Sequence, residues 1–217
     1  MIVEERMRSF LHSLDEGTPR NLQEIEKFAL ETEVPIIRPE MQSLLQTLFA
    51  IHQPKSILEV GTAIGFSALL MRQFAPEGCR ITTIEKYEKR IPIAKENFEK
   101  LGREQITLIE GDAIEVLQTL ETPFDFIFMD AAKGQYIHFL PEVLRLLNPG
   151  GLLVSDNVLQ DGDIVESRFA VTRRNRTIHG RMREYLHTLK HHEELTTTIL
   201  PLGDGVAISV KRKIVHD

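Results

Sequence analysis

Two short segments of the chain carry side chains that could act together on a substrate. The apolar run FDFIFM is followed directly by Asp130, and Lys133 comes three residues later. A second apolar run, GGLLVS, ends in Asp156 and Asn157. Carboxylate and amide oxygens are the hard ligands that Mg²⁺ prefers. A lysine beside such a cation has its ammonium form disfavoured, so it could serve as a general base.

Each of these pieces also has a purely structural interpretation. Asp156 and Asn157 could form an Asx turn, Asp130 could cap the following helix, and Lys133 could pair with an acid at the surface. The combination favours a site, because adjacent parallel strands lie about 4.8 Å apart and their ends can converge on one point. We therefore predict that Asp130, Asp156 and Asn157 bind Mg²⁺ or another divalent cation. Asp130 and Lys133 are the predicted catalytic residues, with Lys133 accepting a proton from a substrate hydroxyl.

Three earlier strand ends carry residues suited to a nucleoside. Gly61 opens the turn in LEVGTAIGFS, and Glu85 ends the next predicted strand, where an acid can accept hydrogen bonds from ribose hydroxyls. Asp112 follows the third strand, where its carboxylate or the Ala113 amide could bind an adenine edge. Each residue alone could be a surface acid or a packing glycine. Their joint order predicts a nucleoside cofactor site.

The glycine spacing helps to choose the cofactor. The turn has the pattern GxxxG and lacks the GxGxxG pattern that holds the pyrophosphate of NAD at a helix start. S-adenosylmethionine carries no phosphate and has a cationic sulfonium, so it suits an acid-lined cleft with a looser turn. The predicted reaction is transfer of its methyl group to the deprotonated hydroxyl. An NAD oxidoreductase and a nucleoside-binding module without catalysis stay open as alternatives.

The elements that position these residues follow from an alternation of short apolar runs with amphipathic helical segments. This alternation predicts right-handed βαβ crossovers and an α/β fold with a doubly wound, mainly parallel seven-stranded sheet. The last two runs are separated only by GDG, which predicts an antiparallel C-terminal hairpin. The predicted strands are Ser56–Val60, Arg80–Glu85, Ile106–Glu110, Phe124–Asp130, Gly151–Asp156, Leu195–Leu202 and Val206–Lys211.

Length and composition bound the class of protein. The 217 residues predict a single domain, with a helical N-terminal extension at 1–52 and an α/β core at 53–217. No apolar stretch approaches the roughly 18 residues of a membrane span, and the charged N-terminus is unlike a signal peptide. We therefore expect a cytoplasmic protein that binds no membrane. Cys79 is the only cysteine, which excludes an intrachain disulfide and a multi-cysteine zinc site.

One local charge cluster departs from the acidic balance of the chain. The formal net charge of −6 argues against a protein coated in nucleic-acid-binding charge. However, the segment from Ser167 to Arg183 contains His179, six arginines and no acid. Such a cluster could bind phosphates or could be an ordinary solvated surface. Its arginines are Arg168, Arg173, Arg174, Arg176, Arg181 and Arg183.

These residues and motifs resemble the cation-dependent class I O-methyltransferases, the family of catechol and caffeoyl-CoA O-methyltransferases, over almost the whole chain. The resemblance implies a Rossmann-like class I methyltransferase fold, a homodimer, a metal triad of Asp130, Asp156 and Asn157, and Lys133 as the base. It also implies a set of contacts with S-adenosylmethionine. These are Met41, Gly61, Ser67, Glu85, Asp112, Ala113 and Asp130.

Within that family, several segments are similar to the bacterial tRNA 5-hydroxyuridine methyltransferases. They are PIIRPEMQSLL, DAAKGQY, SDNVLQDG, the arginine-rich helix and PLGDGVAIS. This likeness implies the wobble uridine of a tRNA anticodon loop as the acceptor, with Arg173, Arg174 and Arg176 in contact with tRNA. The chain departs from the catechol enzymes, since it has Ala131 and Ala132 where those carry a bulky aromatic, and it has no tryptophan. A small catechol or a hydroxycinnamoyl thioester stays the alternative acceptor.

Overall fold

The computed structural model describes residues 4–101, 104–167 and 169–213. Short 3-10 helices cover Arg20–Leu22, Lys133–Gln135 and Gln160–Val165. None of the described helices is long and apolar enough to cross a membrane. The α-helices of the described residues are α1 (Glu5–His12), α2 (Gln23–Glu31), α3 (Pro39–His52), α4 (Phe66–Phe74), α5 (Ile91–Leu101), α6 (Ala113–Thr119), α7 (Tyr136–Leu146) and α8 (Arg176–His191).

The strands belong to one seven-stranded mixed sheet. Strand β2 pairs in parallel with β1 and β3, and β4 pairs in parallel with β5. Strand β7 runs antiparallel to β5 and β6 and forms the predicted C-terminal hairpin. The predicted fold class is therefore confirmed. The strands are β1 (Ser56–Val60), β2 (Arg80–Glu85), β3 (Ile106–Glu110), β4 (Phe124–Met129), β5 (Leu147–Ser155), β6 (Leu195–Leu200) and β7 (Val206–Lys211).

Four predicted strand boundaries were wrong. Strand β4 ends one residue earlier than predicted and β6 ends two residues earlier. Strand β5 starts at Leu147 instead of Gly151, because Leu147 pairs with Phe124 before a register shift, and it ends at Ser155, one residue earlier than predicted. The strands stop just before Asp130 and Asp156, so both carboxylates lie beyond the carboxyl ends of their strands.

The chain divides into two compact units, residues 4–116 and residues 117–213. In the first unit, α3 begins at Pro39, whose fixed φ suits the first turn, and it is followed by Gln53 in the left-handed conformation, with φ 51°. The glycine-containing loop after β1 leads directly into α4. The apolar core of this unit includes Leu45, Phe49, Leu58, Val60, Leu70 and Met71, all fully buried.

The second unit has its own core. Helix α7 buries one apolar stripe at helical spacing, and α8 buries His179, Met182, Tyr185 and Leu189, which recur every three or four residues on one face. These stripes accompany the apolar strands of the unit. Its fully buried residues include Phe126, Phe128, Val143, Leu146, Leu153 and Val154.

Candidate active site

The turn after β1 requires glycine at both of its predicted positions. Gly61 has φ 107°, and its N–H donates to the Ile84 carbonyl at 3.1 Å. Gly65 has φ 85° at the start of α4, and a Cβ there would lie only 2.6 Å from Phe98 Cε1. Part of the glycine pattern therefore serves backbone conformation and packing. The same turn places the backbone that follows β1 next to the end of β2.

Glu85 is held in place by backbone groups on both sides. Its Oε2 accepts the Ala63 N–H at 2.7 Å, and its Oε1 accepts the N–H groups of Lys86 and Tyr87 at 2.9 and 2.8 Å. A carboxylate has lone pairs for more than three hydrogen bonds, so these contacts leave capacity for a ribose hydroxyl. The structure thus joins the glycine turn to the predicted ribose acceptor. The ribose contact itself stays a prediction.

Asp112 stabilises the start of α6. Its Oδ1 accepts the Ile114 N–H at 3.0 Å, and its Oδ2 lies 3.1 Å from Lys86 Nζ. The Ile114 hydrogen bond, and then Lys86, hold the pKa of Asp112 below its usual value. Both predicted contacts with adenine, the Asp112 carboxylate and the Ala113 amide, stay predictions.

A buried acid that the sequence reasoning missed orients one of the predicted cofactor residues. Glu59 is fully buried in β1, and it accepts short hydrogen bonds from the hydroxyls of Ser67 and Thr83. An acid inside the apolar run SILEV was the sequence signal for this residue. Met41, also predicted to contact the cofactor, is buried in α3.

In the second unit, β4 and β5 bring Asp130 and Asp156 together. Met129 pairs with Ser155, so the two residues that follow are neighbours, and the Asp156 N–H donates to the Met129 carbonyl at 2.9 Å. Asp156 is only 6% exposed, and Asp130 is half-buried. The sequence prediction that these strand ends converge is confirmed for this pair.

The pKa values of both carboxyl groups are raised. Burial raises the pKa of Asp130 to about 6, and the charge of Lys133 opposes that shift. Burial also raises the pKa of Asp156 to about 7, with further increases from the charges of Asp130 and Asp204. Two acids that interact so closely titrate as a pair. One lysine does not compensate for them, so negative charge accumulates at this point when both are ionised.

Asn157 is fixed beside this pair by the turn between β6 and β7. It adopts the left-handed conformation, with φ 57°, which asparagine tolerates better than most residues. Its N–H donates to Asp156 Oδ1 at 2.7 Å, and its Nδ2 lies 3.5 Å from Asp204 Oδ2. The Val158 N–H donates to the Gly205 carbonyl at 2.9 Å, which holds the two segments together. Sequence reasoning assigned the GDG turn to a hairpin and missed the proximity of Asp204.

The donor set fits a hard divalent cation. The described residues contain no group of three or more His, Cys, Asp or Glu side chains that could hold a metal ion. The predicted site depends instead on two carboxylates and the Asn157 amide oxygen, with water or substrate oxygens to complete the shell. Two neighbouring carboxyl groups with raised pKa values are the feature that such a cation would neutralise. Metal binding stays a prediction.

Tyr136 connects the ends of strands β4 and β5 through its side-chain hydroxyl. It is fully buried, and its hydroxyl lies 3.0 Å from the Met129 carbonyl and 3.1 Å from the Asp156 carbonyl, while accepting the Ala131 N–H at 3.3 Å. Burial raises the pKa of Tyr136 well above its usual value, so the hydroxyl stays protonated as a donor. Its position in an amphipathic helix gave no sign of this role, since any core aromatic would fit the same pattern.

The arginine cluster divides into two groups. Arg173 and Arg174 are exposed. Arg181 Nη1 donates to the Gly134 carbonyl at 3.1 Å, and Arg183 Nη1 donates to the Ile164 carbonyl at 2.9 Å, so these two arginines stabilise the fold. Arg168 lies outside the described residues. We call residues 169–176 the basic arm; it ends at Arg176, whose guanidinium lies 5.9 Å from the centre of the Phe169 ring.

Comparison with known proteins shows the family. The family model described as O-methyltransferase matches residues 12–213. The chain therefore belongs to the S-adenosylmethionine-dependent class I O-methyltransferases. The predicted family and methyl donor are confirmed at this level. The metal ion, the tRNA substrate and the dimer stay predictions.

Individual relatives agree with this assignment. A catechol O-methyltransferase of Niastella koreensis is 36% identical over 135 residues, which cover 60% of this chain and 61% of that relative. The alignment thus spans less than two thirds of either protein. A Staphylococcus aureus structure provisionally named caffeoyl-CoA O-methyltransferase has a TM-score of 0.88 and 32% identity, covering 95% of this chain and all of that one. The SAH-bound Podospora anserina methyltransferase PaMTH1 has a TM-score of 0.86 and 26% identity, covering 96% of this chain and 95% of that one.

Proposed function

We propose that this chain is a cytoplasmic, Mg²⁺-dependent O-methyltransferase that converts 5-hydroxyuridine at the wobble position of tRNA into 5-methoxyuridine. The observation that carries this proposal is the packing of α8 on the segment that bears the candidate base. Arg181 bonds the Gly134 carbonyl, and a Cβ on Gly134 would lie 3.4 Å from Ile178. Gly134 directly follows Lys133. The basic arm ends two residues before Ile178, which is less than one helical turn of about 5.4 Å.

Lys133 is the proposed general base. Its positive charge opposes the rise in the pKa values of both Asp130 and Asp156, which is consistent with an amine close to the pair. In the proposed step, Lys133 Nζ takes the proton of the acceptor hydroxyl and the hydroxyl oxygen forms a bond to the methyl carbon. The carbon–sulfur bond breaks at the same time, and its electron pair stays on sulfur. The products are the methyl ether and S-adenosylhomocysteine.

Asp130, Asp156 and Asn157 would hold the divalent cation through their side-chain oxygens. A cation there would stabilise negative charge on the acceptor oxygen and disfavour the ammonium form of a neighbouring lysine. The protein contributes rigidity, because Tyr136 joins the backbone beside both aspartates and the Asp204 turn fixes Asn157. This rigidity favours fixed ligand positions over a flexible surface cluster.

Residues of the first unit would hold the methyl donor. Glu85, already immobilised by backbone N–H groups, would accept the ribose hydroxyls. The backbone at Gly61 would approach the methionine part, and the Ala113 amide would bind the adenine edge. Ser67, oriented by Glu59, and Met41 complete the predicted set.

The basic arm would bind the phosphates that flank the target nucleotide. Arg173 and Arg174 are exposed. Arg176 is half-buried and its Nε donates to the Val171 carbonyl inside the arm, whereas Arg181 and Arg183 bond carbonyl groups outside it. Binding through such contacts falls steeply with salt concentration. A small aromatic acceptor would show little dependence on salt.

A small catechol is the second candidate acceptor. The similarity to a catechol O-methyltransferase favours it. Two features of the sequence oppose it: Ala131 and Ala132 precede the candidate base, and the chain has no tryptophan to enclose a small ring. We also propose a homodimer, because Phe10 in α1 and Leu14 just after that helix are exposed. Sedimentation of Phe10→Glu would detect loss of that dimer.

The test of the proposed function is a methyl-transfer assay with purified protein and two acceptors. We expect tRNA containing 5-hydroxyuridine to be converted to the 5-methoxy form, with a kcat/KM far above that for catechol, and we expect EDTA to stop the reaction until Mg²⁺ is restored. A higher kcat/KM for catechol would favour the second candidate. No transfer to either acceptor would favour a nucleoside-binding module. Comparing tRNA nucleosides from cells with and without this gene would test the acceptor in vivo.

The proposed contact between the basic arm and RNA is tested with a double variant. Arg173→Ala combined with Arg174→Ala should weaken tRNA binding and reduce the slope of log affinity against log salt by about 0.7 to 0.9 for each lost phosphate contact. Arg6→Ala combined with Arg20→Ala is the charge-matched control, since both residues are exposed and lie far from the arm in sequence. Equal affinity and slope in the two double variants would contradict a role of the arm in RNA binding.

A further inference from the structure

The basic arm exposes an aromatic ring that the packing of the fold does not use. Phe169 is 84% exposed, the largest fraction among the large apolar side chains of the described residues. The neighbouring Val171 is buried, so the segment is anchored by one apolar residue while it presents the other to solvent. A single exposed apolar residue is common and needs no explanation. The residues around Phe169 determine whether its exposure indicates a binding site.

Those surroundings are cationic. The Arg176 guanidinium lies 5.9 Å from the centre of the Phe169 ring, within the range of a cation–π contact, and its Nε donates to the Val171 carbonyl at 3.3 Å. Arg176 is therefore tied to the backbone of the arm and lies close to the ring. Arg173 and Arg174 add exposed positive charge within five residues of Phe169.

The segment itself is held by local hydrogen bonds. The Ala170 N–H donates to the Ser167 carbonyl at 2.9 Å and lies 3.3 Å from Ser167 Oγ, and the Asn175 N–H donates to the Thr172 carbonyl at 2.9 Å. An exposed ring on a hydrogen-bonded turn loses less conformational entropy on binding than one on an unstructured chain. The ring is thus partly preorganised for a flat partner.

An exposed aromatic beside several arginines is the combination that binds unpaired nucleotides. Every base has a flat face that can stack on an aromatic side chain, while arginines bind the adjoining phosphates. We propose that Phe169 is a stacking platform for an unpaired nucleobase next to the target nucleotide, with Arg176 supporting the ring and Arg173 and Arg174 binding the flanking phosphates. This inference rests on the proposed RNA substrate and adds a residue that recognises the loop conformation of that substrate.

The positive charge around Phe169 favours an RNA base over two other possible partners of the ring. A second copy of a chain with net charge −6 could also cover an exposed phenylalanine, and a small aromatic acceptor could pack on it. Neither needs a run of arginines without any acid between residues 167 and 183, whereas a polyanion does. Each of the other two occupants is a measurable outcome of the experiment below.

The experiment compares Phe169→Ala and Phe169→Leu with the wild type in binding an anticodon stem-loop RNA that carries 2-aminopurine beside the target uridine. Loss of one stacked base should weaken binding roughly 5- to 150-fold and leave the slope of log affinity against log salt unchanged. Phe169→Leu keeps an apolar side chain without a π-face, so it should resemble Phe169→Ala. Quenching of the 2-aminopurine fluorescence should be lost in both variants. Phe169→Trp should retain it.

Controls separate this inference from the proposed function. Ile51→Ala removes another highly exposed apolar side chain, 77% exposed at the end of α3, and should bind the RNA as the wild type does. Methyl transfer to free 5-hydroxyuridine should be equal in wild type and Phe169 variants. Wild-type protein that binds and methylates RNA, with unchanged affinity in Phe169→Ala, would overturn this inference and leave the proposed function standing.

Three other results would also overturn the stacking role. Wild-type protein that neither binds nor methylates the stem-loop would overturn the RNA substrate and this inference together. A change of sedimentation from dimer to monomer in Phe169→Ala would assign the ring to self-association. An equal loss of activity on the stem-loop and on free 5-hydroxyuridine would assign it to the acceptor pocket.

Discussion

The acids of the two compact units differ in how the protein treats their charge. In residues 4–116, Glu85 accepts backbone N–H groups and Asp112 has a helix-capping bond and an ion pair, so the pKa of Asp112 is lowered. In residues 117–213, burial raises the pKa values of Asp130 and Asp156, and the charge of Asp130 raises that of Asp156 further. The first unit thus satisfies its carboxylates by itself, while the second holds a pair that it does not neutralise.

This difference indicates two kinds of function. A carboxylate whose negative charge is already stabilised by hydrogen bonds or an ion pair within the fold is a rigid acceptor, suited to a neutral hydroxyl. A carboxylate pair that the fold leaves under-compensated is suited to a cation, which supplies the missing charge. Both kinds of acid lie at or just beyond the carboxyl ends of strands, so position alone does not separate them. The partners within hydrogen-bonding distance do.

Lys133→Ala should have the largest effect, because it removes the only amine that we assign to chemistry. We expect methyl transfer to fall by about 100- to 10,000-fold, the usual contribution of a general base. Affinity for S-adenosylhomocysteine, which depends on the first unit, should not change. Lys27→Ala, an exposed lysine on α2, is the control. Near-normal turnover in Lys133→Ala would remove Lys133 from the mechanism.

Glu85→Gln should have an intermediate effect that is confined to the cofactor. The new amide would place donor hydrogens against one of the N–H groups that now bind the carboxylate. We expect affinity for S-adenosylhomocysteine in calorimetry to fall roughly 10-fold, from one charged hydrogen bond lost or misplaced. Glu110→Gln, at the end of the neighbouring strand β3, should bind normally. Equal affinities in both variants would contradict the ribose role.

The smallest effect concerns the stability of the metal-free protein. The folded state raises the pKa values of Asp130 and Asp156, so between about pH 4 and pH 7 it binds more protons than the unfolded chain. The free energy of unfolding contributed by the pair should therefore fall as pH rises through that window. In EDTA at pH 8, Asp156→Asn should be more stable than the wild type, by about 1 kcal/mol or more.

Urea denaturation at pH 5 and pH 8 would measure this effect. The difference between wild type and Asp156→Asn should shrink at pH 5, where both carboxyl groups are largely protonated. Asp163→Asn, at an exposed position, should follow the wild type at both values. If the wild type is more stable than Asp156→Asn at pH 8, the negative charge of Asp130 and Asp156 is already neutralised within the folded protein.

Much of this comparison could be predicted from the sequence, since strand ends are local features. The alternation of apolar runs and amphipathic segments predicted the parallel strands, and an acid directly after an apolar run marked Asp130 and Asp156. The position at a strand end also marked Glu85 and Asp112, as predicted contacts with ribose and adenine. It could not show that backbone N–H groups and Lys86 compensate them, because those contacts depend on turn geometry.

The roles of other residues could not be predicted from the sequence for a related reason. Tyr136 joins two strand ends through its hydroxyl, and Asp204 approaches Asn157 across 47 positions of the chain. Neither contact leaves a periodic or local signal. The arginine cluster shows the same limit, because one-dimensional charge could not separate Arg181 and Arg183, which bond carbonyl groups, from the exposed Arg173 and Arg174.

The under-compensated pair is tested most directly by titrating Mn²⁺ into the protein and following the free ion by electron paramagnetic resonance. The wild type, in the presence of S-adenosylhomocysteine, should bind one Mn²⁺ per chain, and Mg²⁺ should compete for it. Asp130→Asn and Asp156→Asn should lose that binding, while Asp112→Asn should retain it. If the wild type binds no Mn²⁺, or if Asp156→Asn binds it as tightly as the wild type, the assignment of a cation to these carboxylates is wrong.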